Sequence, residues 1–192
     1  GAPKGLESVG GRRIVDRVVD ALRATTDRLL LVANDPDAGG WLPGVAAVGD
    51  VRAGAGSLGG IHAALVHAGT PVLLVAWDMP FVPPSLLRAL RRLGEGADVA
   101  VPESDSSRRG VEPLCAWYAP SCIPAIERRI DAGDLRIVGF FDEVRVRRLP
   151  AGEVARHGDP ARLFHNVNAP DDLVVAEEHA STPDGGDRRP QA

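Results

Sequence analysis

The chain lacks most of the residue patterns that place a protein in a class at first sight. It has only two cysteines in 192 residues, Cys115 and Cys122. That is too few for a disulfide framework, and their spacing is not that of metal ligands, so they read as free thiols of a cytoplasmic protein. No run of about twenty apolar residues is present, which excludes a membrane-spanning helix, and the first residues do not have the charged-then-apolar order of a signal peptide. Basic residues are not in excess: Lys and Arg number 22 against 26 Asp and Glu, for a net charge of −4. A nucleic-acid-binding surface would usually show the opposite balance. The histidines (His62, His67, His157, His165 and His179) fall at no ligand spacing, which argues against zinc. There is no Gly-x-Ser-x-Gly elbow, which weakens any hydrolase reading, and no Walker pattern for a P-loop nucleotide hydrolase.

What is present is ordinary globular material, 44% apolar and 25% charged, enough to bury a core as one domain over residues 1–180. From Ser181 the chain turns polar and rich in Gly and Pro, so residues 181–192 are expected to be a disordered tail. The stretch that organises the rest is Gly49–Leu87. It reads as a glycine-rich loop, a helix over Leu58–His67, the apolar strand Val72–Ala76, and then Asp78 in a turn bracketed by Pro80, Pro83 and Pro84. A continuous apolar run of this kind marks a strand covered on both faces. An acid just past the carboxyl end of such a strand is where an open α/β sheet keeps its ligand chemistry.

Upstream, Ile14, Val15, Val18, Val19 and Leu22 fall at helical spacing. The short apolar strands Leu29–Ala33 and Val45–Val48 deliver Asn34 and Asp50 to their ends. Downstream, Ser85 is expected to cap a helix through Leu93. Asp98–Val101 and Leu114–Tyr118 read as strands, with the polar stretch Glu103–Gly110 a mobile loop between them. A helix is expected from Pro120 to Gly133, a short one over Leu135–Phe141, and an edge strand over Val144–Leu149. The last helix begins at Ala169-Pro170-Asp171-Asp172. Alternating strands and helices imply a three-layer α/β sandwich with a mostly parallel sheet.

The chemistry these residues can carry centres on phosphate. Four glycines within Gly54–Gly60 allow backbone N–H groups to approach a ligand closely. Asp78 beside them suits Mg²⁺, which takes one or two carboxylates plus phosphate oxygens. Asn34 and Asp50 offer an amide and a carboxylate that could hold a base edge or a sugar hydroxyl, or could simply close Asx turns. Lys4, in a Pro-Lys-Gly loop, could set a point charge on a triphosphate or be a solvated surface group. One rival is literal. Gly54-Ala55-Gly56-Ser57-Leu58-Gly59 fits the dinucleotide fingerprint, with an acid nineteen residues after Gly59. Its context is poor, because Asp50-Val51-Arg52-Ala53 separates the preceding strand from the first glycine.

Taken together, Pro3-Lys4-Gly5-Leu6, Val32-Ala33-Asn34, Gly56-Ser57-Leu58-Gly59-Gly60, Asp78-Met79-Pro80-Phe81, Glu112-Pro113-Leu114-Cys115-Ala116-Trp117-Tyr118 and Phe164-His165-Asn166-Val167-Asn168-Ala169-Pro170 resemble the molybdenum cofactor guanylyltransferases over residues 1–178. The resemblance implies a Rossmann-like nucleotidyltransferase sandwich and GMP transfer from Mg-GTP to molybdopterin, with release of pyrophosphate. In that pattern Lys4 contacts the triphosphate, Asn34, Asp50 and Gly59 belong to the nucleotide side, and Asp78 binds Mg²⁺. Asn166, Asn168 and the Glu112–Tyr118 segment line the pterin side, with Asn168 near the catalytic centre. Partners implied are GTP, the molybdenum cofactor and molybdoenzyme-maturation proteins. Cytidylyl transfer, transfer to another small phosphate, and a catalytically silent nucleotide-binding module remain the alternatives. The family opens with a strand and a Leu-x-Ala-Gly-Gly loop, of which the sequence given starts at the last few residues. The expectation is that an upstream piece has been left out.

Overall fold

The computed structural model describes residues 4–105, 107–167 and 169–181. Lys4–Leu6 form a 3-10 turn, followed by the two-residue strands β1 (Ser8–Val9) and β2 (Arg12–Arg13). These pair antiparallel through Gly10 and Gly11, both at positive φ (58° and 71°). Two successive left-handed residues make the turn that matches the twist of a hairpin, and glycine enters it without a steric penalty. Helix α1 (Ile14–Arg23) buries Ile14, Val15, Val18 and Val19, as the apolar spacing predicts. β3 (Leu30–Val32) and β4 (Ala46–Val48) pair in parallel, and α2 (Gly56–Ala68) leads into β5 (Val72–Val75).

Next comes α3 (Pro84–Gly94), which opens on Pro84 after an extended Pro83, with no side-chain cap. The expected Ser85 cap is replaced by proline, whose fixed φ suits the first helical position and whose missing N–H costs nothing there. β6 (Val99–Pro102), β7 (Cys115–Tyr118), α4 (Ile123–Asp131) and β8 (Val146–Leu149) follow. The chain closes with the short α5 (Ala151–Val154) and α6 (Pro160–Leu163) and the longer α7 (Pro170–Ser181). Ser181 thus belongs to the last helix, and the rest of the expected tail, 182–192, lies outside the described residues. The helix expected over Leu135–Phe141 does not form; only a 3-10 turn, Phe141–Glu143, is present there. The stretch expected to be mobile closes on itself: Ser104 N–H bonds Gly110 O, Ser107 N–H bonds Ser104 O, and Gly110 N–H bonds Ser107 O.

The main sheet has the order β5-β7-β6-β8. β5, β6 and β8 share one direction, and β7 runs against them. Helices cover both faces. Val72 and Leu74 pack with α2 and α4 around Leu58, Ile61, Leu65, Tyr118, Ile126 and Phe140. Leu73 and Val75 pack with α3 around Leu86, Leu87 and Leu90. β5 is therefore covered above and below, as its apolar run predicts, yet all four of its residues are only half-buried. The cause is its edge: among the described residues only β7 pairs with it, and β3, which packs under the same helix α2, pairs only with β4. Both cysteines are buried free thiols, and burial pushes Cys122 up to about 12.

Candidate active site

The parallel register of β3 and β4 sets Leu30 beside Ala46 and Val32 beside Val48. Continued one step past the strand ends, it brings Asn34 against Asp50. Asn34 Nδ2 donates to Asp50 Oδ2, and Asp50 N–H donates to Asn34 Oδ1, both at 2.8 Å. Each side chain thereby holds the other, and the exposed pair leaves Asp50 Oδ1 clear of this mutual bonding. Gly59 lies against the same carboxylate. A Cβ at Gly59 would sit 3.5 Å from Asp50 Oδ2 but only 2.9 Å from Ala55 Cβ and 3.3 Å from Arg52 O. The first role of that glycine is thus to let the loop close tightly onto the start of α2, beside Asp50.

The second group of residues sits at the carboxyl end of β5. The β5–β7 pairing ends at Val75 opposite Cys115, with one further bond from Ala76 N–H to Leu114 O (2.8 Å). Asp78 follows in the turn, half-buried, with Oδ1 shielded from water. Its carbonyl accepts Val167 N–H at 3.0 Å, which brings the Asn166-Val167 segment alongside. Asn166 Oδ1 is buried and has no hydrogen-bond donor. Glu112 Oε1 accepts Leu114 N–H at 3.1 Å. Its carboxyl is pushed above the usual range by burial; the Leu114 N–H and then the charge of Arg109 oppose that push, and the charge of Asp78 adds least to it.

The two groups share a hydrophobic support. Trp77, the neighbour of Asp78, stacks on Trp41 with ring centroids 5.0 Å apart and planes 17° apart. Leu6, Leu31, Ala33 and Ala47 pack in the same cluster, and Gly5 approaches Trp77 so closely that a Cβ would lie 3.0 Å from its ring. The strand end that carries Asn34, the turn that carries Asp78 and the Lys4–Leu6 turn are thus fastened to one aromatic pair. Sequence reasoning missed this pair, although a tryptophan adjacent to a strand-end acid was a visible signal. Asn168 lies outside the described residues.

The donor chemistry of the rim suits a hard divalent cation. It offers carboxylate oxygen at Asp78 and an orphaned amide oxygen at Asn166, the oxygen ligands that magnesium takes. No three His, Cys, Asp or Glu side chains cluster as a self-sufficient metal cage among the described residues. Such a cation would therefore draw the rest of its shell from a ligand and water.

Helices layered on sheets of mostly parallel strands, with an amide–carboxylate pair past β3 and β4 and an acid past β5, have the architecture of a nucleotidyltransferase fold. The chain belongs to the MobA-like NTP transferase domain family, whose model matches residues 1–146. It is 36% identical to a probable molybdenum cofactor guanylyltransferase of Pelotomaculum thermopropionicum, across 92% of this chain and 84% of that one. It is 34% identical to a molybdenum cofactor guanylyltransferase of Desulfosudis oleivorans, across 92% and 87%. Among solved structures it is similar to molybdopterin-guanine dinucleotide biosynthesis protein A of Archaeoglobus fulgidus, with a TM-score of 0.78 and 31% identity over 93% and 90% of the two chains. This membership removes the dinucleotide-fingerprint reading of Gly54–Gly59 and makes the chain an enzyme of nucleotidyl transfer.

Proposed function

We propose that this chain transfers GMP from Mg-GTP to the terminal phosphate of molybdopterin, releasing pyrophosphate and forming the guanine dinucleotide form of the cofactor. The observation that carries this reading is the mutually bonded Asn34–Asp50 pair at adjacent strand ends, one aromatic cluster away from the Asp78 turn. Asp50 Oδ1 is the acceptor that the N–H edge of guanine requires, with Asn34 holding the carboxylate in place. Lys4 contributes charge toward the triphosphate, Asp78 is the protein's ligand to Mg²⁺, and Asn166 and Asn168 face the pterin. When bound, the ion supplies neutralisation of charge on the departing pyrophosphate.

An oxygen of the acceptor phosphate attacks the α-phosphorus, a new P–O bond forms, and the bond to the β-phosphate breaks. The attacking group is already an anion, so no general base is required, and the side chains act by positioning and charge complementarity. Molybdoenzyme-maturation proteins are the natural recipients of the product, and the cytoplasm the natural site of synthesis. No helix among the described residues is long and apolar enough to cross a membrane.

The test is calorimetric titration with Mg-GTP and Mg-CTP, followed by a pyrophosphate-release assay with molybdopterin. Tighter binding of GTP with release of pyrophosphate is expected. Tighter CTP binding would overturn the guanine assignment. GTP binding with no turnover would leave a silent nucleotide-binding module.

A further inference from the structure

Trp77 stands between two of the groups assigned to the phosphate side. Asp78 follows it in the chain, and the turn that carries Lys4 lies against its ring through Gly5. A Cβ on Gly5 would lie 3.0 Å from Trp77 Cε3, 3.2 Å from Cδ2 and 3.5 Å from the Trp77 carbonyl oxygen, so the Gly5 backbone rests on the six-membered ring of the indole. Gly5 is buried and its φ is not positive. Glycine is needed there for space, not for conformation. Neither Gly5 nor Leu6 has a backbone hydrogen bond to another element among the described residues; the first such bond after them joins Glu7 O to Ile14 N–H at 2.9 Å. Packing therefore places the turn: Leu6 in the cluster of Val15, Val19 and Leu31, and Gly5 on the indole. The indole is itself held. Trp41, only 6% exposed, stacks on it, and the Trp41 carbonyl accepts Arg13 Nη1 at 3.1 Å while Asp16 accepts two bonds of 2.8 Å from the same guanidinium. The base side is set by other means. Ala33 N–H bonds Val48 O at 2.9 Å, and Asn34 and Asp50 bond each other, none of which involves the indole.

We propose that Trp77 is a positioning residue for the triphosphate: its ring sets how far the Lys4 turn stands from Asp78. It thereby decides whether the lysine and the acid can act on one triphosphate together. This rests on the nucleotidyl-transfer reading and deepens it, because it gives the phosphate side a spacer of its own, separate from the strand register that sets the base side. Preorganised charges act at full strength only where packed neighbours hold them at the productive distance. Two stacked indoles make a stiff spacer, since close-packed rings have no room to turn.

The experiment is calorimetric titration of the full chain with Mg-GTP and with GMP, for wild type, Trp77→Ala, Trp77→Phe, Lys4→Ala and the double variant of Trp77→Ala with Lys4→Ala. Trp77→Ala should weaken Mg-GTP at least ~10-fold, the order of one lost charge-assisted contact, and leave GMP within about twofold of wild type. Loss of a merely structural support would weaken both ligands alike. Trp77→Phe, which keeps a flat ring against Gly5, should recover most of the Mg-GTP affinity. The double variant should lose much less than the product of the two single losses, because the lysine turn has already been displaced. Mg-GTP affinity of Trp77→Ala within about twofold of wild type, or an equal loss for GMP, overturns the proposal and leaves the transferase reading intact. Thermal melting checks that each variant is folded. If Trp77→Ala is not, Gly5→Ala decides: its methyl would sit 3.0 Å from the ring, and undiminished Mg-GTP affinity overturns the proposal. Wild type that binds Mg-GTP no more tightly than GMP would instead strike the transferase reading itself.

Discussion

Two half-buried or buried acids on one sheet, Asp98 and Glu112, are shifted in opposite directions, and they sit at opposite ends of it. Asp98 immediately precedes β6, at the end away from the Asp78 turn. Arg145 donates to it from its backbone N–H (2.8 Å), Nε (3.1 Å) and Nη2 (3.3 Å), and Ser121 Oγ donates at 2.6 Å. Those bonds, the Arg145 side chain first and Ser121 next, hold its carboxyl down at about 2. Glu112, before β7 at the other end, has a single backbone N–H on one oxygen and is pushed up, mainly by burial. An acid supplied with donors is a fastener for the fold. An acid buried with a single donor, at the end of the sheet that carries the Asp78 turn, does not fasten the fold in that way.

The largest effect that sharpens this contrast is expected at Asp78. Asp78→Ala should lower kcat/KM for GMP transfer by at least ~100-fold, the usual loss when a preorganised charge partner is removed, while thermal melting stays near that of wild type. A rate within a few-fold of wild type would remove Asp78 from the reaction and erase the functional half of the comparison.

The next effect should fall on the fold alone. Gly94 ends α3 with its backbone against Trp117 of β7; a Cβ there would lie 2.3 Å from the indole Cδ1. Gly94→Ala must push the ring or the helix end aside, at about 2–3 kcal/mol by denaturant unfolding. Per folded molecule, Mg-GTP affinity should be unchanged. A variant as stable as wild type would mean that β7 and its loop are not held by this contact.

A smaller effect is expected on the nucleotide side. Asn34→Ala and Asp50→Ala should each weaken Mg-GTP binding about 10-fold by calorimetry, the order of one lost charge-assisted hydrogen bond. The double variant should lose much less than the product of the two, because each residue orients the other. Full additivity would show that the pair does not act as a unit.

Much of this was legible in the sequence, and the reasons differ by level. The apolar spacing of Ile14–Leu22 and the runs at Leu29–Ala33 and Val72–Ala76 specify their elements locally, so α1, β3 and β5 fall where expected. Asn34, Asp50 and Asp78 are visible as strand-end polar groups because each terminates such a run. What was not legible depends on pairing across the chain. The Asn34–Asp50 bond needs the register of β3 on β4, and the facing of Glu112 and Asp78 needs β7 to run against its neighbours. The Gly10–Gly11 hairpin is a different failure. Its turn signal was in plain view, but its two-residue strands are too short to show periodicity. Leu135–Phe141 has helical residues yet is claimed by turns, where Asp134 binds Arg136 through two bonds of 2.8 Å and also reaches Arg129.

The smallest effect tests the structural half. Because the folded carboxyl of Asp98 titrates at about 2, below an unfolded aspartate, the stabilisation it brings is complete above the unfolded value and is lost as pH falls through about 4 toward 2. Arg145 is largely exposed, its side chain 73% accessible, so solvent screening trims the gain to roughly 1 kcal/mol. Asp98→Asn should lower stability by about that amount at neutral pH and flatten the acid limb of the stability profile between those values, with no change in nucleotide or metal affinity. If instead Asp98→Asn altered nucleotide binding, the two ends of the sheet would be coupled, and Asp98 would not act on the fold alone.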